Sequence, residues 1–168
     1  MPELIAPDAR LHAAWLEAHA EWGEGRHEDG FGLLASDEVR SAPGFAAWVA
    51  RLAAEHATCT YRWIVDGDQV LGGIALRHEH SDYVNWAGHI GYGIRPSARG
   101  KGLATWALGR MLGAARELGL DRVLVVCALG NATSARTIER NGGVLEGIGD
   151  TRFGQVRRYW VDTRAVTG

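Results

Sequence analysis

The chain has 168 residues, the size of one domain, and folding at this length hides roughly 70% of the surface an unfolded chain exposes, so a core needs neither metal nor disulfide staples. Apolar residues make up 46% and charged residues 23%, which excludes a disordered tail or a coiled coil, and a net charge of −2 provides no general basic field for nucleic acid or an anionic membrane. Two cysteines, Cys59 and Cys127, make no disulfide framework and point to a reducing, cytoplasmic setting. The first residues do not read as a signal peptide, and no apolar run approaches the roughly 20 residues that span a bilayer.

In chain order, Leu4-Ile5-Ala6 reads as a short strand. Asp8 is a good N-cap, and Leu11, Trp15, Ala18 and Trp22 recur at helical spacing after it. Residues 23–32 are glycine-rich and charged, with Trp22 and Phe31 at the ends, and read as a surface loop. Ser41-Ala42-Pro43 opens a second helix with Phe45, Trp48, Val49 and Leu52 on one face. The period then changes to that of strands: 58–65, a hairpin turn at Asp66-Gly67-Asp68, and 69–78. Residues 83–94 read as a third extended stretch, weakened by Gly88, Gly91 and Gly93. Leu103, Trp106, Ala107, Met111, Ala114 and Leu118 then mark one helical face that Gly119 ends. Residues 123–129 form an apolar run suited to a central strand buried on both faces. A short helix over 131–140 stops at Asn141-Gly142-Gly143, and Val144-Leu145 and 158–161 read as closing strands. The whole is read as one α/β domain over 1–168.

One segment carries chemistry. A strand ends at Ile94, Pro96 breaks it, and Arg99-Gly100-Lys101-Gly102-Leu103-Ala104 forms a glycine-rich turn that opens a helix; Lys101 is the only lysine in the chain. Glycines let backbone N–H groups approach a ligand, and a helix N-terminus adds about half a positive charge, so this is a phosphate cradle. A nucleoside triphosphate loop would need GxxxxGK[ST], which is absent. A dinucleotide fold needs a third glycine where Thr105 stands and an acid at the end of the next strand, where Ala128-Leu129 stand.

The pattern Arg99-x-x-Gly102-x-Ala104 resembles the acyl-CoA-binding motif of the GNAT superfamily of N-acyltransferases. The order of the surroundings matches over about residues 60–145: an extended strand, Pro96, the apolar strand 123–129, and Asn131-x-x-Ser134 leading into a short helix. The chain looks most like bacterial predicted acetyltransferases with His-Ile-Gly-Tyr before the motif, here 89–92, and Arg-Tyr-Trp near the end, here 158–160. The resemblance implies a mixed, mostly antiparallel sheet with a splayed pair of central strands and helices on both faces. It implies acetyl-CoA as acyl donor. Backbone N–H groups of Arg99, Gly100, Lys101, Gly102, Leu103 and Ala104 would hold the pyrophosphate. Gly93 and Ile94 would pair with the pantetheine arm, with the Ile94 N–H on the thioester carbonyl, and Asn131 and Ser134 would bind the pantetheine end.

Acyl transfer needs a neutral amine, a donor to the thioester oxygen and a proton for the departing thiolate. Many relatives place a Tyr in the last helix as the acid, where this chain has Ile138; a thiol of pKa near 8.5 can leave with little help. Where relatives carry a Glu base on the strand before the motif, His89 falls here, with Glu79 and His80 as rivals. The expected acceptor is a small-molecule or peptide amine, with contacts expected from 22–31 and 79–86, and neither nucleic acid nor membrane is expected as a partner. Trp63, Tyr83 and Trp86 fit a substrate pocket and the core equally well. Cys127 reads as inert core. Two other readings remain: an acyl-CoA-binding module without turnover, which Ile138 would permit, and a zinc hydrolase built on the histidines, with His78 and His80 joined by His89 or Cys59. No metal is assigned. An edge strand near 158–161 is suited to a homodimer.

Overall fold

The structure is a computed structural model that describes residues 1–23 and 28–165. Glu24, one of the acidic residues of the expected loop, lies outside the described residues. The strands are β1 (Glu3–Ile5), β2 (Cys59–Asp66), β3 (Gln69–Arg77), β4 (Ile90–Ile94), β5 (Arg122–Ala128), β6 (Val144–Thr151) and β7 (Gly154–Asp162), in the sheet order β1-β2-β3-β4-β5-β7-β6. β1 with β2, β5 with β7 and β6 with β7 are antiparallel. β4 and β5 are the parallel pair, and their ladder holds one register position, Ile90 opposite Val125. The helices are α1 (His12–Trp22), α2 (Ala42–Ala54), α3 (Asp82–Ala87), α4 (Leu103–Glu117) and α5 (Ala132–Arg140). The chain divides into two compact units, 1–75 with 92–103 and 76–91 with 104–168.

The first unit is built on aromatic side chains. Asp8 caps a 3-10 turn through the Arg10 N–H and α1 follows; Ser41 caps α2 by accepting from the Gly44 N–H, with Pro43 in the first turn. The helical spacing read from the sequence then puts Trp15, Ala18 and Trp22 of α1 and Phe45, Trp48 and Leu52 of α2 into one cluster with Trp63 of β2. Burying an aromatic ring of this size removes about 150–250 Å² from water. The rings meet edge-on or tilted, Trp15 to Trp48 at 4.9 Å and Trp48 to Trp63 at 5.9 Å. Among the described residues, the indole N–H groups of Trp15, Trp48 and Trp63 have no hydrogen-bond partner, so this core is held by area and ring packing.

The expected surface loop is corrected at its second half. Phe31 is 1% exposed and packs against Trp15, Trp22 and Trp63, and Glu28 is buried with both carboxylate oxygens 2.7 Å from His19 Nδ1. The loop backbone lies on the strands: a Cβ on Gly93 would stand 2.7 Å from the Asp29 carbonyl, and one on Gly30 2.3 Å from the Gly73 carbonyl. Gly93 therefore does not weaken β4 but makes room for a crossing backbone.

In the second unit, β5 has Val123, Leu124 and Val125 fully buried, as its unbroken apolar run predicts. α4 buries Ala107, Leu108, Met111, Leu112 and Ala115, while Leu118 lies past its end, half exposed. Residues 83–94 are not one extended stretch. Ser81 accepts from the Val84 N–H and caps α3, which ends at Gly88 before β4 begins. The closing strands are longer than expected, and β7 is an interior strand paired on both sides, so the edge belongs to β6. That corrects the edge assigned to 158–161. Arg158 bridges the hairpin and α3, donating to Glu146 at 2.6 Å and to the Asn85 carbonyl.

Candidate functional site

The cradle begins with the end of β4. The Arg95 N–H donates to the Leu71 carbonyl on the β3 side. Strand alternation turns the neighbouring Ile94 N–H to the opposite side of β4. Ile94 takes no part in the β4–β5 ladder. Buried Arg95 donates to Val70 O and, through Nε at 2.7 Å and through Nη2, to Glu21 of α1. The same carboxylate receives the Ser97 N–H at 2.9 Å and the Ser97 hydroxyl at 3.0 Å. Glu21 thereby braces the turn at 96–98 from which the cradle starts. Donation by Arg95 first, then by the Ser97 amide, lowers its carboxyl pKa to about 2. Sequence reading missed Glu21 and Arg95, because nothing local relates residues 74 positions apart.

Arg99 Nε donates to the Ile94 carbonyl at 2.9 Å, fastening the loop to the strand end. Gly100 and Gly102 both have φ near +79°, a conformation L side chains rarely adopt, and a Cβ on either would meet open space. Gly100, Lys101 and Gly102 are exposed. Among the described residues, no backbone oxygen outside α4 accepts from the N–H groups of Leu103, Ala104 or Thr105, the first of that helix. The loop is an open ring of amide donors at a helix N-terminus, which fits a pyrophosphate.

In the second unit, Asn131 caps α5 by accepting from the Ser134 N–H at 3.1 Å. Burial raises the Cys127 pKa, in keeping with an inert thiol. Asn141 Nδ2 donates to the carbonyls of Thr105 and Thr137, tying the end of α5 to the first turn of α4. Ile138 is fully buried, so no titrating group stands where relatives carry their Tyr. Tyr159 is also buried and donates to Glu139 at 3.0 Å.

His89 is 4% exposed and works as a link between strands. Its N–H donates to Leu124 O and its carbonyl accepts from the Arg77 N–H, each at 2.7 Å, while Nδ1 accepts from the Leu124 N–H at 2.9 Å. A neutral imidazole that accepts at Nδ1 carries its proton on Nε2 and has no further lone pair. Burial, with His80 and Arg77 nearby, lowers its pKa to about 4. With Nδ1 on the Leu124 N–H and its pKa lowered, the ring is neutral at pH 7. β3 ends at Arg77, so His78, Glu79 and His80 lie in the connection to α3 and not on a strand; Glu79 and His80 are exposed. Among the described residues, no three His, Cys, Asp or Glu side chains are grouped to hold a metal ion. No helix among them is long and apolar enough to cross a membrane.

A surface cavity of about 410 Å³ opens elsewhere in the second unit, between Arg122, Val144, Leu145, Glu146, Trp160 and Arg164. Its indole is already taken: Arg122 covers the Trp160 ring at 4.3 Å and Glu146 accepts from its N–H.

The model of the acetyltransferase (GNAT) domain family matches residues 6–144. No curated protein matches the sequence. Among solved structures, an acetyltransferase from Salmonella typhimurium that modifies the N-terminal serine of 50S ribosomal subunit protein L7/L12 superposes with a TM-score of 0.70 at 19% identity, over 96% of this chain and 94% of that one. The microcin C7 self-immunity acetyltransferase MccE, in complex with acetyl-CoA and AMP, gives 0.72 at 17% over 96% and 92%. A spermidine N-acetyltransferase chimera of SpeG from Vibrio cholerae and hSSAT gives 0.70 at 17% over 98% of both chains. At these identities the likeness shows the fold.

Proposed function

From the premise that the chain belongs to the GNAT acetyltransferase domain family, we propose that it transfers an acetyl group from acetyl-CoA to an amine. The observation that carries the reading is the open amide ring at Gly100–Ala104, with two positive-φ glycines whose missing side chains leave space for a ligand. Arg99, Gly100, Lys101, Gly102, Leu103 and Ala104 hold the pyrophosphate, and Gly93 with Ile94 lines the pantetheine arm. The Ile94 N–H, turned away from β3, is the donor to the thioester oxygen. The motif order adds Asn131 and Ser134 to the same ligand; the Asn131 side chain already accepts from the Ser134 N–H, so its share is smaller.

In the transfer a neutral amine attacks the thioester carbon, the C–S bond breaks, and the amine's surplus proton leaves while the thiolate gains one. His89 has no lone pair for that proton, so Glu79, exposed in the connection after β3, is assigned the base role. His89 positions β4 against β5. With Ile138 buried, the thiolate is protonated from solvent, which a pKa near 8.5 allows.

The test is thermal stabilisation by acetyl-CoA, with coenzyme A, NAD and ATP alongside, followed by release of free thiol in the presence of amines. A selective shift with the coenzyme A species and thiol release establish the reading. A shift without release on any amine establishes the second reading, a binding module, which the buried Ile138 favours. No shift with either coenzyme A species overturns both.

A further inference from the structure

Transfer as described leaves one buried polar pair of the first unit unused. Glu28 is 4% exposed, both its carboxylate oxygens lie 2.7 Å from His19 Nδ1, and the His19 ring stacks on Trp15 with centroids 4.7 Å apart. A carboxylate only accepts, so the imidazole turns an Nδ1 proton towards Glu28. Surface loops leave their carboxylates in water because burying one is unfavourable. Here the carboxylate is buried and tied down by a helix.

What the pair holds is a strap of backbone. Three residues further on, Phe31 is fixed among Trp15, Trp22 and Trp63, so residues 28–31 are anchored at both ends. Between the anchors, Asp29 and Gly30 lie against the sheet at places where glycine leaves room. A Cβ on Gly30 would stand 2.3 Å from the Gly73 carbonyl and 2.9 Å from Tyr92 Cα, and one on Gly73 would stand 2.8 Å from the Phe31 ring. With the Asp29 carbonyl over Gly93, the strap bears on the two residues that precede Ile94. Gly72 closes on the same link from β3, where a Cβ would stand 2.3 Å from the Gly93 carbonyl. The Gly93 carbonyl and the Ile94 N–H belong to one planar peptide, so confining one end sets the direction of the other. The next link is held as well, by the Arg95 N–H on Leu71 O at 2.8 Å and by Arg99 Nε on Ile94 O at 2.9 Å.

We propose that Glu28, held by His19, is a positioning residue for the transfer step: it fastens the strap 28–31 against β4 and so fixes the direction of the Ile94 N–H before acetyl-CoA arrives. The kinetic half rests on the acetyl-transfer reading, whereas the rigidity of the Ile94 amide is measurable in the protein alone. A donor aimed beforehand stabilises the charge that develops on the thioester oxygen without reorganising, and removing such a donor costs about 10²–10³ in turnover. Loosening it costs less than removing it.

The first measurement is ¹⁵N relaxation of the full chain without ligand. The Ile94 amide is expected to have an order parameter of about 0.85, that of rigid backbone, and to fall below about 0.6 in Glu28→Ala and in His19→Phe. His19→Phe keeps a ring on Trp15 and removes the N–H, while Glu28→Gln keeps an oxygen for Nδ1 and should stay close to the unaltered protein. The second measurement is thiol release with an amine that the unaltered protein accepts. There Glu28→Ala should lower kcat about tenfold, with KM for acetyl-CoA within about twofold, and Glu28→Gln should recover most of the loss. An Ile94 order parameter below about 0.6 in the unaltered protein overturns the proposal whether or not the variants fold. So do an Ile94 amide unmoved by both disruptive substitutions, a loss confined to KM, and a lowered melting temperature with kcat unchanged, which would assign the pair to folding alone. Absence of thiol release by the unaltered protein strikes the transfer reading instead, and the order parameters then decide the clamp by themselves.

Discussion

The two compact units use the same residue types in opposite ways. In the first, Trp15, Phe31, Phe45, Trp48 and Trp63 are at most 1% exposed and three indole N–H groups go without partners among the described residues. In the second, Tyr83 and Phe153 stand in solvent with guanidinium groups over them. An aromatic ring surrounded by rings is core; one flanked by unneutralised cations cannot be closed off cheaply and stays exposed. Residue type does not make this distinction, and neighbours do.

The contrast is most exposed to refutation in the core. Trp63→Ala should cost about 3–5 kcal/mol in urea unfolding, as for a large ring removed from a packed interior. Trp63→Phe should cost clearly less, because the indole N–H it removes has no partner. A small loss for Trp63→Ala would mean that the aromatic cluster is not what stabilises the first unit.

Next comes the cradle. Gly102→Val forces a β-branched residue to φ near +79°, at about 1–3 kcal/mol, and fills the space assigned to the pyrophosphate. Acetyl-CoA should no longer raise the melting temperature of this variant, although it still unfolds cooperatively. A retained shift would remove the loop from the site.

Glu21→Gln should follow at about 1–2 kcal/mol, below the 3–5 of a fully buried pair because the Glu21 carboxylate is partly exposed. The folded pKa of Glu21, about 2, lies below its ordinary 4.5. The pair's contribution is therefore full above pH 4.5 and disappears as the pH falls towards 2, so Glu21→Gln should flatten the acid limb of the stability curve. Its affinity for acetyl-CoA should also drop several-fold, as the turn at 96–98 loosens.

His89 offers a finer test at milder pH. Its folded pKa of about 4 lies below the ordinary 6.5, so the unfolded chain binds the proton first and stability rises with pH between those values. His89→Ala should remove that part of the slope and leave the pH dependence of transfer unaltered. A transfer profile that moves with His89→Ala would restore it as the base. The smallest effect belongs to the exposed ring of Phe153: Phe153→Ala should change folding stability by less than about 0.5 kcal/mol, as expected for a ring that supports no core.

Local signals carried far in this chain. Caps at Asp8 and Ser41, the turn at Gly67-Asp68 and the apolar run of β5 each act within a few residues, and each element stands where its signal predicts. α3 escaped because Tyr83, Val84 and Trp86 favour strands as much as helices, and only the Ser81 cap and tertiary packing select the helix. In sequence, Phe31 reads as part of a surface loop because glycine and charge surround it, whereas its ring contacts come from Trp15, Trp22 and Trp63. In the candidate site, the glycines of the cradle were legible because their positive φ is a local demand. The tautomer of His89 was not, since the Leu124 N–H that sets it lies 35 residues away.

The sequence by itself determined the family, the α/β class and the glycine-rich loop that opens α4, because caps, periodicity and glycine conformations are short-range and a motif keeps its spacing. Tertiary structure alone decided which aromatic rings are core and which stay exposed, that Glu21 and Arg95 brace the turn at 96–98, and that His89 spends its lone pair on the sheet. Each of these depends on groups distant in the chain that meet only when the strands pair, and a hydrogen bond or a buried charge has no meaning until its partner is in place.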